Sequence, residues 1–127
     1  MDKKIITTSN APAPIGPYNQ AVLTGNTLYT SGQIAINPTT GDLVLDNITK
    51  ETTQVMENLK AVLTEAGMTF ENVIKSSIFI SDMNNFSAIN EVYGGYFNEA
   101  IAPARETVEV ANLPKFVNVE ISVIAIK

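Results

Sequence analysis

Val117-Asn118-Val119-Glu120-Ile121-Ser122-Val123-Ile124-Ala125-Ile126 is the stretch that decides how this chain folds. Val117, Val119, Ile121, Val123 and Ala125 fall on one face of an extended segment. Asn118, Glu120 and Ser122 fall on the other, followed there by Ile124 and Ile126. A period of two over so many β-branched residues specifies a strand. One face is wholly apolar and the other half apolar, so both need cover. Helices on one side and a subunit interface on the other satisfy this; packing under a loop accounts for the second face equally well.

Working back from that strand, Asn112-Leu113-Pro114-Lys115 marks a connection, and Thr107 to Ala111 a preceding strand. Phe86, Ile89, Tyr93, Tyr96 and Phe97 form a helical stripe that Pro103 terminates. Val73 to Ser81 predicts a strand with Ile74, Ile78 and Ile80 on one face. Val55, Met56, Leu59, Val62, Leu63 and Ala66 recur at helical spacing and predict a helix over Thr49 to Ala66, with Thr49 as N-cap and Gly67 as stop. Ala21-Val22-Leu23 and Leu28 to Ile36 predict strands around the hairpin signal Thr24-Gly25-Asn26-Thr27. Ile5-Ile6-Thr7-Thr8 is a short strand, and Ala11-Pro12-Ala13-Pro14-Ile15-Gly16-Pro17 a rigid shaped loop rather than a linker. The order β-β-β-α-β-α-β-β predicts an α+β two-layer domain, a mixed sheet with two helices on one face, in a single domain over residues 1–127.

Composition narrows the chemistry. The chain has no Cys and no His, which removes thiolate nucleophiles, Ser-His triads and the usual zinc sites. No Asp-rich calcium loop and no Gly-rich phosphate loop is present, so neither a metal nor another cofactor is expected. Net charge is −5 with eight scattered basic residues, which disfavours nucleic acid as a partner. No apolar run approaches a membrane span of about 20 residues, and the N-terminal residues carry no apolar signal core. A cytoplasmic location is the default expectation.

Catalysis would therefore fall to carboxylates, Tyr, Lys, Arg, hydroxyls, backbone groups and water. Arg105 is the single arginine, a planar fork suited to a small molecule's carboxylate; an ordinary salt bridge is the alternative. Glu120 lies in the most apolar strand, where desolvation would raise its pKa and fit it for proton transfer. Alternatively it faces water or pairs with Lys75. Tyr18 either caps a pocket or anchors its loop on the core. Ser31-Gly32 interrupts a strand, as a bulge or a close approach of ligand to backbone. Asn90 is a polar residue beside the apolar helix stripe, a surface or interface group by default.

Several separated motifs, in order, resemble the Rid (YjgF/YER057c/translation-inhibitor) family and its RidA subgroup. They are Ala11-Pro12-Ala13-Pro14-Ile15-Gly16-Pro17-Tyr18, then Thr30-Ser31-Gly32-Gln33-Ile34, then Asn58-Leu59-Lys60-Ala61-Val62-Leu63 with Ala66-Gly67. Asn90-Glu91-Val92-Tyr93 with Tyr96-Phe97 follows, then Pro103-Ala104-Arg105-Glu106-Thr107-Val108-Glu109-Val110, Leu113-Pro114-Lys115 and Val119-Glu120-Ile121. The resemblance spans essentially the whole chain. It implies a chorismate-mutase-like fold, a homotrimer with a barrel-like core, and sites in the clefts between subunits. It implies hydrolysis of 2-iminobutanoate and 2-iminopropanoate to 2-keto acids and ammonia, which protects pyridoxal-phosphate enzymes. On this resemblance Arg105 binds substrate carboxylate, Glu120 positions or activates water, and Tyr18, Ser31, Gly32, Asn90 and Thr107 line the pocket. Many RidA proteins carry Cys where this chain has Thr107, so regulation through a thiol is excluded at that position. A carboxylate-sensing module in the same cleft is the competing expectation.

Overall fold

The computed structural model describes residues 2–127. The strands are β1 (Lys4–Ile6), β2 (Ala21–Thr24), β3 (Thr27–Thr30), β4 (Val73–Ile80), β5 (Ala104–Glu109) and β6 (Val119–Ile126). The helices are α1 (Ile48–Glu65) and α2 (Phe86–Gly94). The sheet order is β1-β2-β3-β6-β4-β5, with β4 and β5 parallel and every other pair antiparallel. This is the predicted α+β architecture, a mixed sheet carrying two helices.

The last strand in sequence is central in space, between β3 and β4. That position explains its composition. Val119, Ile121, Val123 and Ala125 are buried beneath the helices, with Leu28 of β3 and Ile78 and Ile80 of β4. From α1, Val55, Met56, Leu59, Val62 and Leu63 are fully buried against them. Each such side chain contributes roughly 1.5–3 kcal/mol of burial.

Local signals set the element ends. Asn47, not Thr49, caps α1, its side chain accepting the Lys50 N–H at 2.9 Å. The stop at Gly67 holds: its φ of +74° lets Gly67 N–H reach Thr64 O and Met68 N–H reach Leu63 O, a Schellman closure. The β2–β3 hairpin turns on Gly25 and Asn26, with positive φ at the glycine alone, the II′ pattern. The strand expected over Leu28 to Ile36 ends at Thr30. Beyond it Ser31 N–H still reaches Gln20 O in register with β2 while the Ser31 hydroxyl bonds Asn19 O, and the chain next pairs with the sheet at a Gln33–Ile121 bridge. Strand β5 starts at Ala104, three residues before the expected Thr107, and so includes Arg105.

The face of the sheet away from the helices carries Ile5, Tyr29, Val108 and Ile126, all exposed, beside the half-buried Val22, Phe79 and Ile124. Lys75 lies on this face too, and its partner is Glu106 at 2.6 Å rather than Glu120. Hydrogen bonds from Lys75 and Ser77 hold the Glu106 carboxyl below its ordinary pKa.

Candidate functional site

A cavity of about 480 Å³ opens where the Pro-rich loop, the Ser31–Ile36 segment and the turn before β6 converge. Tyr18, Ser31, Gly32, Lys115 and Glu120 all line it. Four of the residues singled out from sequence are thus brought together. Glu120 reaches it from the centre of β6. Its carboxyl accepts no hydrogen bond from any described residue, and burial pushes its pKa up from the ordinary carboxylate range. The side chain lies close against Gly32. A Cβ on Gly32 would come 2.8 Å from Glu120 Cδ and 2.9 Å from Cγ. The group that needs position 32 free of a Cβ is the Glu120 side chain rather than a ligand.

The walls are held by polar ties along the backbone. Buried Gln20 accepts the Thr8 N–H through Oε1 at 2.7 Å and directs Nε2 at the carbonyls of Thr8, Ala11 and Pro12. It clamps the loop that carries Tyr18. The Tyr18 hydroxyl meets only Ile15 N–H, at a long 3.4 Å, and half of the residue is exposed. Tyr18 therefore lines the cavity rather than anchoring the loop in the core. The Ser31 hydroxyl donates to Asn19 O at 2.5 Å, which commits its proton to bracing the wall.

Arg105, Asn90 and Thr107 form a second group. Arg105 Nη1 donates to Asn90 Oδ1 at 2.6 Å, and the guanidinium stands 5.2 Å from the Tyr93 ring centroid and 5.7 Å from that of Phe86. Among the described residues no carboxylate pairs with it. The ordinary salt bridge is not formed, and beyond the Asn90 bond the exposed fork has no hydrogen-bond partner among the described residues, resting beside two aromatic rings. Tyr93 gives its hydroxyl proton to Ser76 Oγ at 2.9 Å, and burial raises its pKa against the lowering by Ser76 and Arg105. The Thr107 hydroxyl, on the same face of β5 two residues on, is buried without a hydrogen-bond partner.

The two groups lie on opposite faces of the sheet. Glu120 pairs across to Phe79, which pairs to Val108, whereas Arg105 pairs to Ser76 and hence to Val123. Residues that face each other in register point the same way, and an odd offset reverses the face. Within one chain the Arg105 fork and the Glu120 carboxyl cannot meet.

Gln20, Lys115 and the Phe86–Tyr93 shelf were not singled out as functional from sequence. Phe86, Asn90 and Tyr93 are spaced four and three apart, on one helix face. That spacing, opposite a lone arginine, was an available signal. Nothing local marks Lys115 except the Pro114 turn, where Lys115 and Phe116 adopt left-handed φ of 54° and 55°. Among the described residues no cluster suited to a metal ion is found, and no helix is long and apolar enough to cross a membrane.

A six-stranded mixed sheet under two helices, with an arginine fork without a described carboxylate partner on one face and a half-buried carboxyl on the other, defines a small α+β domain. The family profile described as Endoribonuclease L-PSP matches residues 8–127. The chain belongs to that family, the Rid or YjgF proteins. It is 43% identical to the 2-iminobutanoate/2-iminopropanoate deaminase of Mus musculus, over 98% of this chain and 92% of that protein. A Rid-family protein, YyfA of Yersinia pestis, superposes with a TM-score of 0.95 at 53% identity, covering 98% and 99% of the two chains. Escherichia coli TdcF, solved with bound serine, gives 0.92 at 44%, covering 98% of each.

Proposed function

We propose that this protein hydrolyses small 2-imino acids to 2-keto acids and ammonia, in clefts where Arg105 of one subunit faces Glu120 of the neighbouring subunit. The observation that carries the proposal is Glu120: a half-buried carboxyl, seated on Gly32 in a cavity, with no protein donor claiming it. A carboxyl of raised pKa is suited to take and return a proton near neutral pH. The deaminase name of relatives at 43–45% identity supplies the substrate class.

In this mechanism Arg105 receives the substrate carboxylate bidentately, with Asn90 and the Tyr93 and Phe86 rings fixing the fork. Thr107 lies two residues on along the same face of β5 and lines the pocket beside it. Glu120 removes a proton from a water as its oxygen adds to the imine carbon. The proton is passed to nitrogen, the carbinolamine collapses, ammonia leaves and the keto acid is formed. Imines react readily with water, so orientation and proton transfer suffice. No cofactor is required by this sequence of steps.

Opposite faces make two chains necessary, and the apolar open face of the sheet supplies a surface for a closed homotrimer. The test is subunit mixing. Arg105→Ala and Glu120→Gln are each expected to be inactive when imine, generated by an amino-acid oxidase or threonine dehydratase, is followed to keto acid. Unfolded and refolded together in equal amounts, they should regain about a quarter of wild-type activity, because one cleft in about four then pairs an intact Arg105 with an intact Glu120. No recovery in verified mixed oligomers would refute the two-chain site, and full activity of either single variant would refute the residue roles.

The serine bound to TdcF favours one second reading, a sensor of small amino or keto acids in the same cleft. Tight binding of such acids by wild type, with no acceleration of imine hydrolysis, would decide for it.

A further inference from the structure

Glu120 is half-buried at the cavity wall and has no polar tether of its own among the described residues, so its aim is inherited from the strand beneath it. On one side of it, Gln33 and Ile121 exchange backbone hydrogen bonds at 2.8 and 3.1 Å. On the other side the partner is a side chain. Glu51, in the first turn of α1, is fully buried. Its Oε2 accepts the backbone N–H of Asn118 at 2.7 Å and of Val119 at 3.3 Å, and its Oε1 accepts Asn118 Nδ2 at 2.8 Å. Asn118 is tied onward to the end of β4, its Oδ1 accepting from Ser81 Oγ and its carbonyl from Ser81 N–H. A buried carboxylate is an expensive way to join a helix to a sheet unless every lone pair is used. Here it satisfies the two backbone N–H groups immediately before Glu120.

We propose that Glu51 is a positioning residue for Glu120: its carboxylate pins β6 at Asn118 and Val119 and so keeps the Glu120 carboxyl seated over Gly32. The effect on turnover rests on the hydrolytic role proposed for Glu120; the effect on Glu120's surroundings does not. The groups that share the cavity with Glu120 and could influence its titration are Lys115 and Tyr18, with Phe79 beside it on β4. None of them hydrogen-bonds to Glu51.

Carbon-13 NMR of the glutamate carboxyls, with the Glu120 signal assigned from Glu120→Gln, reads the seat directly and needs no activity. Three substitutions separate hydrogen bonding from charge. Glu51→Ala removes both, Glu51→Asp keeps the charge but withdraws it by one methylene, and Glu51→Gln removes the charge and the bond from Asn118 Nδ2 but keeps an acceptor for the two backbone N–H groups. Released from its seat and better solvated, Glu120 should titrate lower by about half a unit or more in Glu51→Ala and Glu51→Asp. In Glu51→Gln it should titrate as in wild type. In the imine assay kcat should fall about tenfold or more in the first two with KM within about twofold, and recover to within about threefold of wild type in Glu51→Gln. Should Glu51→Ala not fold, Glu51→Asp decides alone. Wild-type titration of Glu120 in folded Glu51→Asp would overturn the proposal, as would a Glu51→Gln shift equal to that of Glu51→Asp. A wild type without imine-hydrolysing activity would instead sink the proposed function and leave the NMR result to judge Glu51.

Discussion

Replacing Gly32 by alanine tests the site at its tightest contact. The added methyl would lie 2.8 Å from Glu120 Cδ, 2.9 Å from Cγ and 3.0 Å from Oε2, against an ordinary contact of 3.4 Å or more. The carboxyl must therefore retreat by about 0.6 Å at its closest atom. The obstructing atoms are the far end of a flexible side chain, and Gly32 does not occupy the left-handed region, so the backbone accepts alanine. Fold stability should change by less than about 1 kcal/mol, since a Gly→Ala change also gains roughly 0.4–1 kcal/mol from the unfolded chain. Turnover should respond far more. Misplacing a reacting group by about 1 Å costs up to ~100-fold, so kcat for imine hydrolysis should fall about 10- to 100-fold, with KM nearly unchanged because Arg105 is untouched. Thermal unfolding and the coupled keto-acid assay measure the two effects separately. A Gly32→Ala protein with wild-type kcat would refute the claim that Glu120 works from its seat on Gly32.

Other perturbations address the remaining parts. Arg105→Lys keeps the charge but loses the planar fork and its stacking on Tyr93 and Phe86, so KM should rise about tenfold or more while the melting temperature holds; an unchanged KM would remove Arg105 from substrate binding. Asn90→Ala should raise KM in the same direction by a smaller factor, read in the same assay, because Arg105 keeps its shelf and loses one charge-assisted bond. Glu120 binds its proton more tightly in the folded than in the unfolded chain, so its ionisation subtracts stability as pH rises from the ordinary carboxylate range through its raised value. Glu120→Gln should therefore melt higher than wild type near neutral pH, and the difference should disappear below the ordinary carboxylate range; melting curves across pH that stay parallel would contradict this. Gln20→Leu strands a buried N–H and three carbonyls, which should destabilise the fold by about 1–3 kcal/mol in denaturant titration and raise KM through a loosened Tyr18 loop.

The eight main elements and their order were legible in the sequence, because helices and strands advertise themselves by period. Val55, Met56, Leu59, Val62 and Leu63 repeat at helical spacing and are the residues α1 buries. The last strand showed one wholly apolar face, which is the face beneath the helices. Boundaries failed where side-chain chemistry competed with the ladder. Asn47 caps α1 two residues before the expected position, and β3 ends at Thr30, next to a Ser31 hydroxyl bound to Asn19 O, where hydrophobicity alone would continue the strand.

The sequence by itself determined the chemical inventory and the fold class. Without Cys or His, and with a single arginine, few residues were left to nominate. Periodicity is local, so it could be read along the chain. Only the tertiary structure decided which nominees share a space. Placing β6 between β3 and β4 brings Glu120 under Gly32, residues far apart in sequence. The register of β5 on β4 puts Arg105 on the opposite face, although the two lie only fifteen positions apart. Strand order and register arise from long-range pairing, in which a shift of one residue reverses every side chain. No local pattern encodes that choice, nor does any mark Glu51, whose carboxylate acquires its role only where α1 meets the start of β6.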